Sequence, residues 1–221
     1  MRLTLYRLTF HENLFYATRE MGRLYETGRY LHNYSLTYAL GLVNAPFHQS
    51  EQVPSYATEL SILNEKNIYV TPARGVDVHY QLVTFKFADN AYRVKMRQSS
   101  RNLPTFGRAK EIAVGSVFEF AIIHAGELRV PHWIRMGLWH SKGQLEIIGE
   151  ADLKLAAEKE QTASLPLNPL DVSGIFKIYD LISMPPSSLM DNVVLEGEWL
   201  KADLLDRIVF LPSGMCYRFP T

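Results

Sequence analysis

Strand-like alternation of apolar and polar residues is the feature that most restricts how this chain can fold. It recurs in short runs bounded by glycine, proline and asparagine, which is typical of β-strands joined by turns. Residues 31–43 instead show helical spacing, and Gly41, Asn44 and Pro46 are expected to end that helix. One helix among many strands predicts an α+β fold. The predicted strands cover residues 1–10, 68–70, 76–87, 92–96, 116–123, 175–182, 193–200 and 207–211.

The length and composition predict an ordinary hydrophobic core. The chain has 221 residues, of which 47% are hydrophobic, enough for one large domain or for two small lobes that share an interface. We expect a single domain over residues 1–221. The polar residues 44–66 are expected to form an insertion or an extended finger outside the core. Residues from about 145 to 221 are expected to form a β-rich C-terminal portion.

Several protein classes receive no support from the sequence. The single Cys216 cannot form an intrachain disulfide or a cysteine metal cage, and it suits a reducing compartment. The seven histidines are scattered, so no metal or other cofactor is expected. No stretch reaches the roughly 18 apolar residues of a membrane span, and the N-terminus lacks the apolar segment of a signal peptide. These observations predict a cytoplasmic protein.

Charge is distributed unevenly along a chain whose net charge is zero. Residues 1–145 carry 17 basic and 11 acidic side chains, whereas residues 146–206 carry 4 and 12. A chain with separated charges can place one face on a polyanion and leave the other hydrated or free for other partners. Overall neutrality therefore does not exclude nucleic-acid binding.

The segment at residues 92–110 concentrates positive charge. It holds six basic residues, no acidic residue and two aromatic residues, and Asn102, Pro104 and Gly107 interrupt it. Basic and aromatic side chains in an irregular segment are typical of contacts with a phosphate backbone and unpaired bases. The segment predicts a polyanionic partner. Its basic residues are Arg93, Lys95, Arg97, Arg101, Arg108 and Lys110.

A second segment, residues 16–34, alternates arginines with tyrosines. Arginine guanidinium groups bind phosphates through paired hydrogen bonds, tyrosine rings stack on unpaired bases, and asparagine can form hydrogen bonds with a base edge. The alternative is a solvated ion-pair face, since Glu20 and Glu26 lie among the arginines. We favour binding because glycine-flanked loops can approach a backbone closely. The candidate residues are Arg19, Arg23, Tyr25, Arg29, His32, Asn33 and Tyr34.

Two further segments carry weaker signals. Arg74 follows a strand end turned by proline. Residues 133–142 place tryptophans beside Arg135 and Lys142, a combination of stacking and charge that single-stranded RNA sites use. Two core tryptophans on a strand are an equally good interpretation of that segment.

Catalytic motifs are absent from the sequence. It contains no phosphate-binding glycine loop, no dinucleotide-binding fingerprint, no nucleophile elbow and no zinc-protease motif. Metal-free RNA cleavage needs only a base, an acid and a cation, and His132, His140 and Lys142 are the nearest candidate set. A histidine beside tryptophan is more often a stacking or core residue, so we favour structure or binding over catalysis.

Five motifs, in this order, resemble those of one protein family. The chain is similar across most of its length to the type I-D branch of the CRISPR Cas-five family, the subunit called Csc-one. The motifs are FYATREMGRLYETGRYLHNYSLTYALGL at residues 15–42, YVTPAR at 69–74, PTFGRAKE at 104–111, WIRMGLWHSK at 133–142 and LNPLD at 167–171.

The resemblance implies a modified ferredoxin-like, RRM-type domain of the RAMP superfamily, with a β-hairpin elaboration and a C-terminal β-rich region. It implies a subunit that holds the 5′ handle of the crRNA, contacts a Cas-seven-type backbone subunit (Csc-two) and docks against a Cas-ten-like large subunit. Guide pairing, not this subunit, selects the target. Contact with target DNA near the PAM is left open. Type I-D systems resemble those that leave crRNA cleavage to a separate endonuclease, so no catalysis is expected.

We therefore predict a non-catalytic RNA-binding subunit that caps the crRNA handle through cationic loops. The alternatives are a metal-independent endoribonuclease that processes precursor crRNA and a scaffold that binds only proteins. The predicted RNA-binding residues are Arg19, Arg23, Tyr25, His32, Asn33, Tyr34, Arg74, Arg101, Arg108, Lys110, Arg135 and Lys142.

Overall fold

A computed structural model describes residues 1–43, 55–86 and 106–219 of the chain. Strands dominate these residues, which contain two α-helices, α1 at Asn33–Ala39 and α2 at Tyr56–Glu65, and a short 3-10 helix at Pro169–Asp171. The strands are β1 Arg2–Phe10, β2 Arg19–Met21, β3 Leu24–Glu26, β4 Tyr30–Leu31, β5 Tyr69–Val70, β6 Ala73–Asp77, β7 Tyr80–Lys86, β8 Phe106–Ile112, β9 Val117–His124, β10 Trp133–Met136, β11 Ser141–Asp152, β12 Lys154–Leu155, β13 Glu160–Thr162, β14 Ile175–Ile182, β15 Leu189–Glu196, β16 Trp199–Asp203 and β17 Ile208–Pro212.

The first strand lies at the centre of a seven-stranded sheet. The strand order is β10-β11-β1-β9-β6-β4, and β5 also pairs with β9. Because side chains alternate across a strand, Leu3 and Leu5 enter one cluster of buried residues while Leu8 and Phe10 enter another. Both faces of β1 are thus covered by packed side chains, and β1 is the strand around which the core is built.

The connections of this sheet decide how far the ferredoxin-like expectation is met. β1 and β6 are each antiparallel to β9, which lies between them, and α1 and α2 are in the connection from β1 to β6. In that half, two parallel strands flank an antiparallel one and are joined by a helical connection, as in a split β-α-β unit. The second connection, from β9 to β11, contains β10 and no helix, although residues 125–140 are all described. The described chain is therefore mostly β, with helices in only one crossover.

A second sheet has the order β2-β3-β8-β7. β2 and β3 form a hairpin whose two-residue turn contains Gly22 at a positive φ of 63°, a backbone region that glycine enters without a steric penalty. β3 runs parallel to β8, and β7 and β8 form an antiparallel hairpin. The sheet therefore brings the arginine-rich residues near position 20 beside the basic residues near position 108.

The C-terminal portion consists of two three-stranded sheets, with the orders β12-β16-β17 and β13-β15-β14. A third buried cluster lies between them and includes Trp199, Leu195 and Leu167. The predicted strands at residues 175–182, 193–200 and 207–211 correspond to β14, β15 and β17, with shifted ends for the last two.

Tyr217 ties the end of the described chain to the first half. Its side chain is buried, its hydroxyl contacts the Thr37 hydroxyl at 2.6 Å, and it accepts a hydrogen bond from the Val70 amide at 3.2 Å. The Tyr217 backbone also exchanges two hydrogen bonds of 2.9 Å with the Asn64 amide group. One residue thus joins α1, α2 and β5.

The polar segment before β5 folds differently from the expectation. The insertion predicted at residues 44–66 is wrong for its described part, because residues 56–65 form α2 and bury Leu60 and Leu63 against the first sheet. Residues 44–54, the predicted strand at 92–96 and the candidate Arg101 lie outside the described residues. The helix predicted at residues 31–43 is confirmed over a shorter span, and Gly41 beyond its end has a positive φ of 69°.

Candidate nucleic-acid interface

The second sheet presents a row of basic side chains on one face. Arg19 lies opposite Glu26, and Glu26 lies beside Lys110 on the next strand. Arg108 precedes Lys110 by two residues, so it lies on the same face, because side chains repeat with period two along a strand. Tyr80 belongs to this face through its pairing with Ile112. We call the surface formed by Arg19, Tyr80, Arg108 and Lys110 the cationic strand face.

Lys110 organises the centre of the cationic strand face. Its ammonium nitrogen lies 2.6 Å from a carboxylate oxygen of Glu26 and 4.2 Å from the centre of the Tyr80 ring. The hydrogen bond from Lys110, followed by the charges of Lys110 and Arg19, lowers the pKa of the Glu26 carboxyl despite some opposition from burial. Glu26 therefore stays ionised and offsets part of the positive charge.

A groove of about 360 Å³ runs beside this face. Arg19, Glu26, Arg29, Tyr30 and Tyr80 line the groove. Residues 181–184, at and beyond the end of β14, also line it. The groove thus combines two arginines, one glutamate and two tyrosine rings, and Lys110 contacts two of these side chains. A strand with phosphates and unpaired bases would find both kinds of partner there.

The loop that carries Arg29 is held by buried hydrogen bonds. The Tyr16 hydroxyl contacts the carbonyl oxygens of Gly28, at 2.7 Å, and of Tyr30. The amide of Gly75 donates to the Arg29 carbonyl at 2.9 Å. Burial raises the pKa of the Tyr16 hydroxyl well above its ordinary value, so it remains a donor. Arg29 therefore projects from a fixed backbone.

Arg23 and Tyr25 lie close to this surface but in different settings. Arg23 is exposed in the β2–β3 turn, and its carbonyl accepts a hydrogen bond of 2.7 Å from the Arg108 amide. Tyr25 is half-buried and points to the other face of the sheet, because it alternates with Leu24 and Glu26. Arg23 thus joins the margin of the cationic strand face, and Tyr25 does not.

Arg135 and Lys142 form a separate cluster at the edge of the first sheet. They are directly paired between β10 and β11, and the Lys142 ammonium lies 4.0 Å from the Trp133 ring centre. Arg135 donates to the His140 carbonyl at 2.8 Å and lies 3.6 Å from a Glu12 carboxylate oxygen. The structure therefore places a basic pair beside an exposed tryptophan, as the residue pattern predicted, although Glu12 offsets part of the charge.

His32, Asn33 and Tyr34 are wrong as exposed base contacts, because all three are buried. The His32 imidazole caps α1 by accepting a hydrogen bond from the Tyr34 amide at 3.2 Å, and its other nitrogen contacts Ser187 at 3.0 Å. Burial lowers the pKa of His32 to about 4, so it is neutral near pH 7. Their polar atoms hold the helix start instead of reaching a ligand.

Asn33 also belongs to a buried network that contains the LNPLD motif. The Asp171 carboxylate accepts hydrogen bonds from the Asn33 side chain at 2.8 Å, the Tyr69 hydroxyl at 3.0 Å and the Arg218 amide at 3.0 Å. The Asn168 side chain donates to the side-chain amide oxygen (Oδ1) of Asn33 at 3.3 Å. Burial raises the pKa of Asp171 to about 6, against the lowering effect of these hydrogen bonds. We call Asn33, Tyr69, Asn168 and Asp171 the motif junction.

Arg74 makes structural contacts, and its contact with RNA stays a prediction. Its guanidinium binds both carboxylate oxygens of the buried Asp191, at 3.1 and 3.3 Å, and the Ser164 carbonyl at 3.2 Å. The Tyr30 hydroxyl donates to the same carboxylate at 2.9 Å. A bidentate pair with a buried acid is a structural arrangement, so Arg74 joins the first sheet to the C-terminal portion.

The catalytic alternative finds little geometric support. His132 precedes β10 and His140 follows it beyond the turn, so roughly 13 Å of strand separate the two positions. Lys142 is occupied against Trp133. Among the described residues, no group of three potential metal ligands occurs, and neither helix is long enough to cross a bilayer.

The sequence-based choice of residues omits three of the basic and aromatic side chains that line the groove, Arg29, Tyr30 and Tyr80. Arg29 was noted with the other arginines but not selected, and Tyr80 was assigned only to a strand. The period-two pattern of β7 could have indicated Tyr80, because it alternates with Gln81 and shares its face with Leu82. Nothing in the sequence shows that residues 181–184 line the groove, because they reach it only through the tertiary fold.

Comparisons with known proteins place the chain in a family. A solved structure with a similar chain is the cryo-EM structure of the type III-B Cmr-β complex bound to cognate target RNA and AMPPnP, in state 1. That chain is 10% identical, with a TM-score of 0.46, and the match covers 89% of this chain and 86% of that one. No curated protein sequence shows significant similarity. The profile of the family described as type I-D CRISPR-associated protein Cas5/Csc1 matches residues 1–220, so the chain belongs to that family.

Proposed function

We propose that this protein is an RNA-binding subunit of a type I-D CRISPR surveillance complex, holding the 5′ handle of the crRNA without cleaving it. Membership of the Cas5/Csc1 family supports a role in a CRISPR complex. The cationic strand face and the groove beside it support the choice of RNA as ligand. The protein acts in the cytoplasm, beside a Csc-two backbone subunit and a Cas-ten-like large subunit.

The observation that carries the proposal is the meeting of two separate basic segments on one surface. Arg19 and Arg29 come from the N-terminal segment, whereas Arg108 and Lys110 come from β8, about 80 residues later. The parallel pairing of β3 with β8 brings them together. Clustered cations bind a single strand by neutralising its phosphates and releasing counterions.

The aromatic residues of the groove suit an unpaired strand rather than a duplex. Tyr80 is 40% exposed and its ring lies beside the Lys110 ammonium. A base that stacks on an exposed ring gains affinity with little dependence on its identity. The groove therefore accounts for retention of a handle, whereas target choice is left to guide pairing.

A salt-dependent binding experiment tests the proposal. The variant Arg19→Ala/Arg29→Ala/Arg108→Ala is compared with the wild type for binding a handle RNA by filter binding at several salt concentrations. We expect affinity to fall by roughly 30-fold or more, and the salt slope to shrink by about 0.7 for each phosphate that is no longer neutralised. A matched control, Lys66→Ala/Lys154→Ala/Lys159→Ala, removes three exposed charges that lie elsewhere.

An equal fall in affinity for the control variant would show that general charge, and not this surface, carries the binding. Unchanged affinity and slope in the first variant would overturn the proposal. The same samples, incubated with a repeat-containing transcript in EDTA, separate binding from cleavage. A product with a 2′,3′-cyclic phosphate end that is abolished by His140→Ala would identify an endoribonuclease instead.

A further inference from the structure

Strand β14 carries an unusual set of exposed apolar side chains. Within eight residues, Ile175, Ile178 and Leu181 are each more than 60% exposed, and Tyr179 is 47% exposed. Large apolar side chains exposed singly are common on protein surfaces, but a contiguous group marks a site of contact with another molecule. All four side chains follow one another along a single strand within eight residues. We call these four residues the β14 stripe.

The stripe lies at an edge of its sheet. β14 pairs only with β15 in the order β13-β15-β14, so its other side faces no strand among the described residues. The pairing with β15 is interrupted between Phe176 and Ile178 and again between Ile178 and Asp180. Such irregularities oppose the addition of a regular extra strand. The stripe is therefore suited to side-chain packing rather than to strand addition.

Acidic side chains outnumber basic ones beside the stripe, where Lys177 and Lys159 both lie near Glu196. Glu196 lies opposite both Ile175 and Glu160 in the sheet, and Asp180 is exposed on β14 itself. Lys177 is the basic residue of the strand, and its ammonium lies 2.7 Å from Glu196. An apolar patch with an acidic rim repels a phosphate backbone and favours a surface with apolar residues at its centre and basic residues around them.

The stripe is continuous with the groove of the proposed RNA site. Leu181, one of its members, lines the same groove as Arg19 and Arg29. A protein docked on the stripe would therefore lie beside the bound strand, and its basic rim could face both the acidic side chains here and the RNA. The basic side chains of the partner would then contact both the acidic side chains of this chain and the RNA phosphates.

We propose that the β14 stripe docks another protein subunit of the same ribonucleoprotein complex, through an apolar contact surrounded by basic side chains on the partner. The proposal rests on the proposed function only in taking the partner from the CRISPR complex. Neither a second copy of this chain nor RNA is the occupant.

Co-expression of the tagged chain with the other type I-D complex subunits and a crRNA tests the docking surface. Ile175→Lys/Ile178→Lys adds positive charge where the partner is basic and removes apolar side chains from the interface. We expect retention of a partner subunit to fall at least about tenfold, as measured by native mass spectrometry of the purified assembly. The control Leu155→Lys/Leu205→Lys alters two leucines exposed elsewhere and should assemble normally.

Further measurements separate the outcomes. The isolated Ile175→Lys/Ile178→Lys chain should bind handle RNA at least as well as the wild type, whereas Arg19→Ala/Arg29→Ala/Arg108→Ala should lose RNA and still retain the partner. Normal assembly of the lysine variant overturns the proposal. So does a wild-type dimer in analytical ultracentrifugation that the lysines disrupt, or a fall in RNA affinity equal to that of the arginine variant.

Discussion

The cationic strand face and the motif junction both draw on the family motifs and have opposite surroundings. Arg19, Arg108 and Lys110 of the strand face lie in those motifs, as do all four residues of the junction. The side chains of the strand face are partly exposed and border a groove. In the motif junction, Asn33 and Asp171 are fully buried, and their hydrogen bonds to each other, to Tyr69, to Asn168 and to the Arg218 amide stay within the protein. Membership of a motif therefore does not separate side chains that hold the fold from side chains available to a ligand, whereas burial does.

The largest expected effect comes from removing the acceptor of the motif junction. Asp171→Ala leaves the Asn33 amide, the Tyr69 hydroxyl and the Arg218 amide without an acceptor in the interior. Buried donors left unpaired cost about 1–3 kcal/mol each, so we expect the free energy of unfolding to fall by about 3–5 kcal/mol. Urea denaturation measures this free energy of unfolding. Asp206→Ala, at an exposed position, is the control. An equal loss of stability in the control would contradict a special role for the buried carboxylate.

The pH dependence of stability should show the buried state of His32. Because burial lowers the His32 pKa to about 4, the unfolded chain takes up a proton below pH 6.5 while the folded state does not. The stabilising contribution of neutral His32 is thus present above the unfolded pKa and is lost as the pH falls through 4. His32→Asn, which retains a helix-capping side chain, should lose this dependence, an effect of about 3 kcal/mol between pH 7 and pH 4.

The difference in stability between wild type and His32→Asn isolates the imidazole. Relative to the wild type, His32→Asn should be most destabilising near pH 7 and progressively less so towards pH 4. Asp171 acts in the opposite sense, since burial raises its pKa to about 6 and its contribution declines as the pH rises through that value. It is present in both proteins, so it cancels in the difference. A constant difference across the range would contradict a neutral, buried imidazole. His132→Asn, at an exposed position, is the control.

Arg74 separates folding from binding most directly, because its sequence context predicts RNA binding and its contacts indicate structure. Arg74→Ala leaves the buried Asp191 carboxylate with the Tyr30 hydroxyl alone among the contacts described. We expect stability to fall by about 2–3 kcal/mol, with RNA affinity per folded molecule unchanged. Arg129→Ala breaks an exposed ion pair with Glu127 and should change stability little. A fall in RNA affinity for Arg74→Ala without a matching loss of stability would show instead that Arg74 contacts the RNA.

The smallest expected effect is a gain of affinity. Glu26→Gln removes the acidic side chain that lies 2.6 Å from Lys110, so more positive charge should face the RNA. We expect binding about two- to fivefold tighter at low salt, with a steeper salt slope. Glu20→Gln removes an acid from the neighbouring strand on the opposite face of the sheet, and it should have less effect. Equal gains would mean that net charge alone, and not position on the strand face, matters.

The sequence predicts single elements of this molecule better than their partners. Alternation locates β1, and helical spacing with Gly41 locates α1. Sequence periodicity does not reveal α2. Leu60 and Leu63 are the only residues of that helix buried in the core, so its apolar pattern is too weak to distinguish the helix from a polar loop. The pairing of β3 with β8 connects residues far apart along the chain, and no local pattern encodes it.

The candidate site is predictable to the same extent. The positions of Arg19, Arg108 and Lys110 follow from clustering of charge, because an uncompensated basic segment remains at the surface. The burial of Asn33 depends on Asp171, which lies 138 positions later, so its role cannot be deduced from its neighbours. The family resemblance identified the motifs, but it did not separate the side chains that fold the protein from those exposed to solvent.

The position of Tyr217 has a consequence for synthesis on the ribosome. Its backbone and hydroxyl form hydrogen bonds with Asn64, Thr37 and Val70. These hydrogen bonds of α1, α2 and β5 can form only after Tyr217 has been translated. At 5–20 residues per second the interval between translation of Val70 and of Tyr217 lasts roughly 7–30 s. During it, the nascent first half exposes apolar side chains that the finished protein covers, and early association with a chaperone or with a neighbouring subunit would protect it.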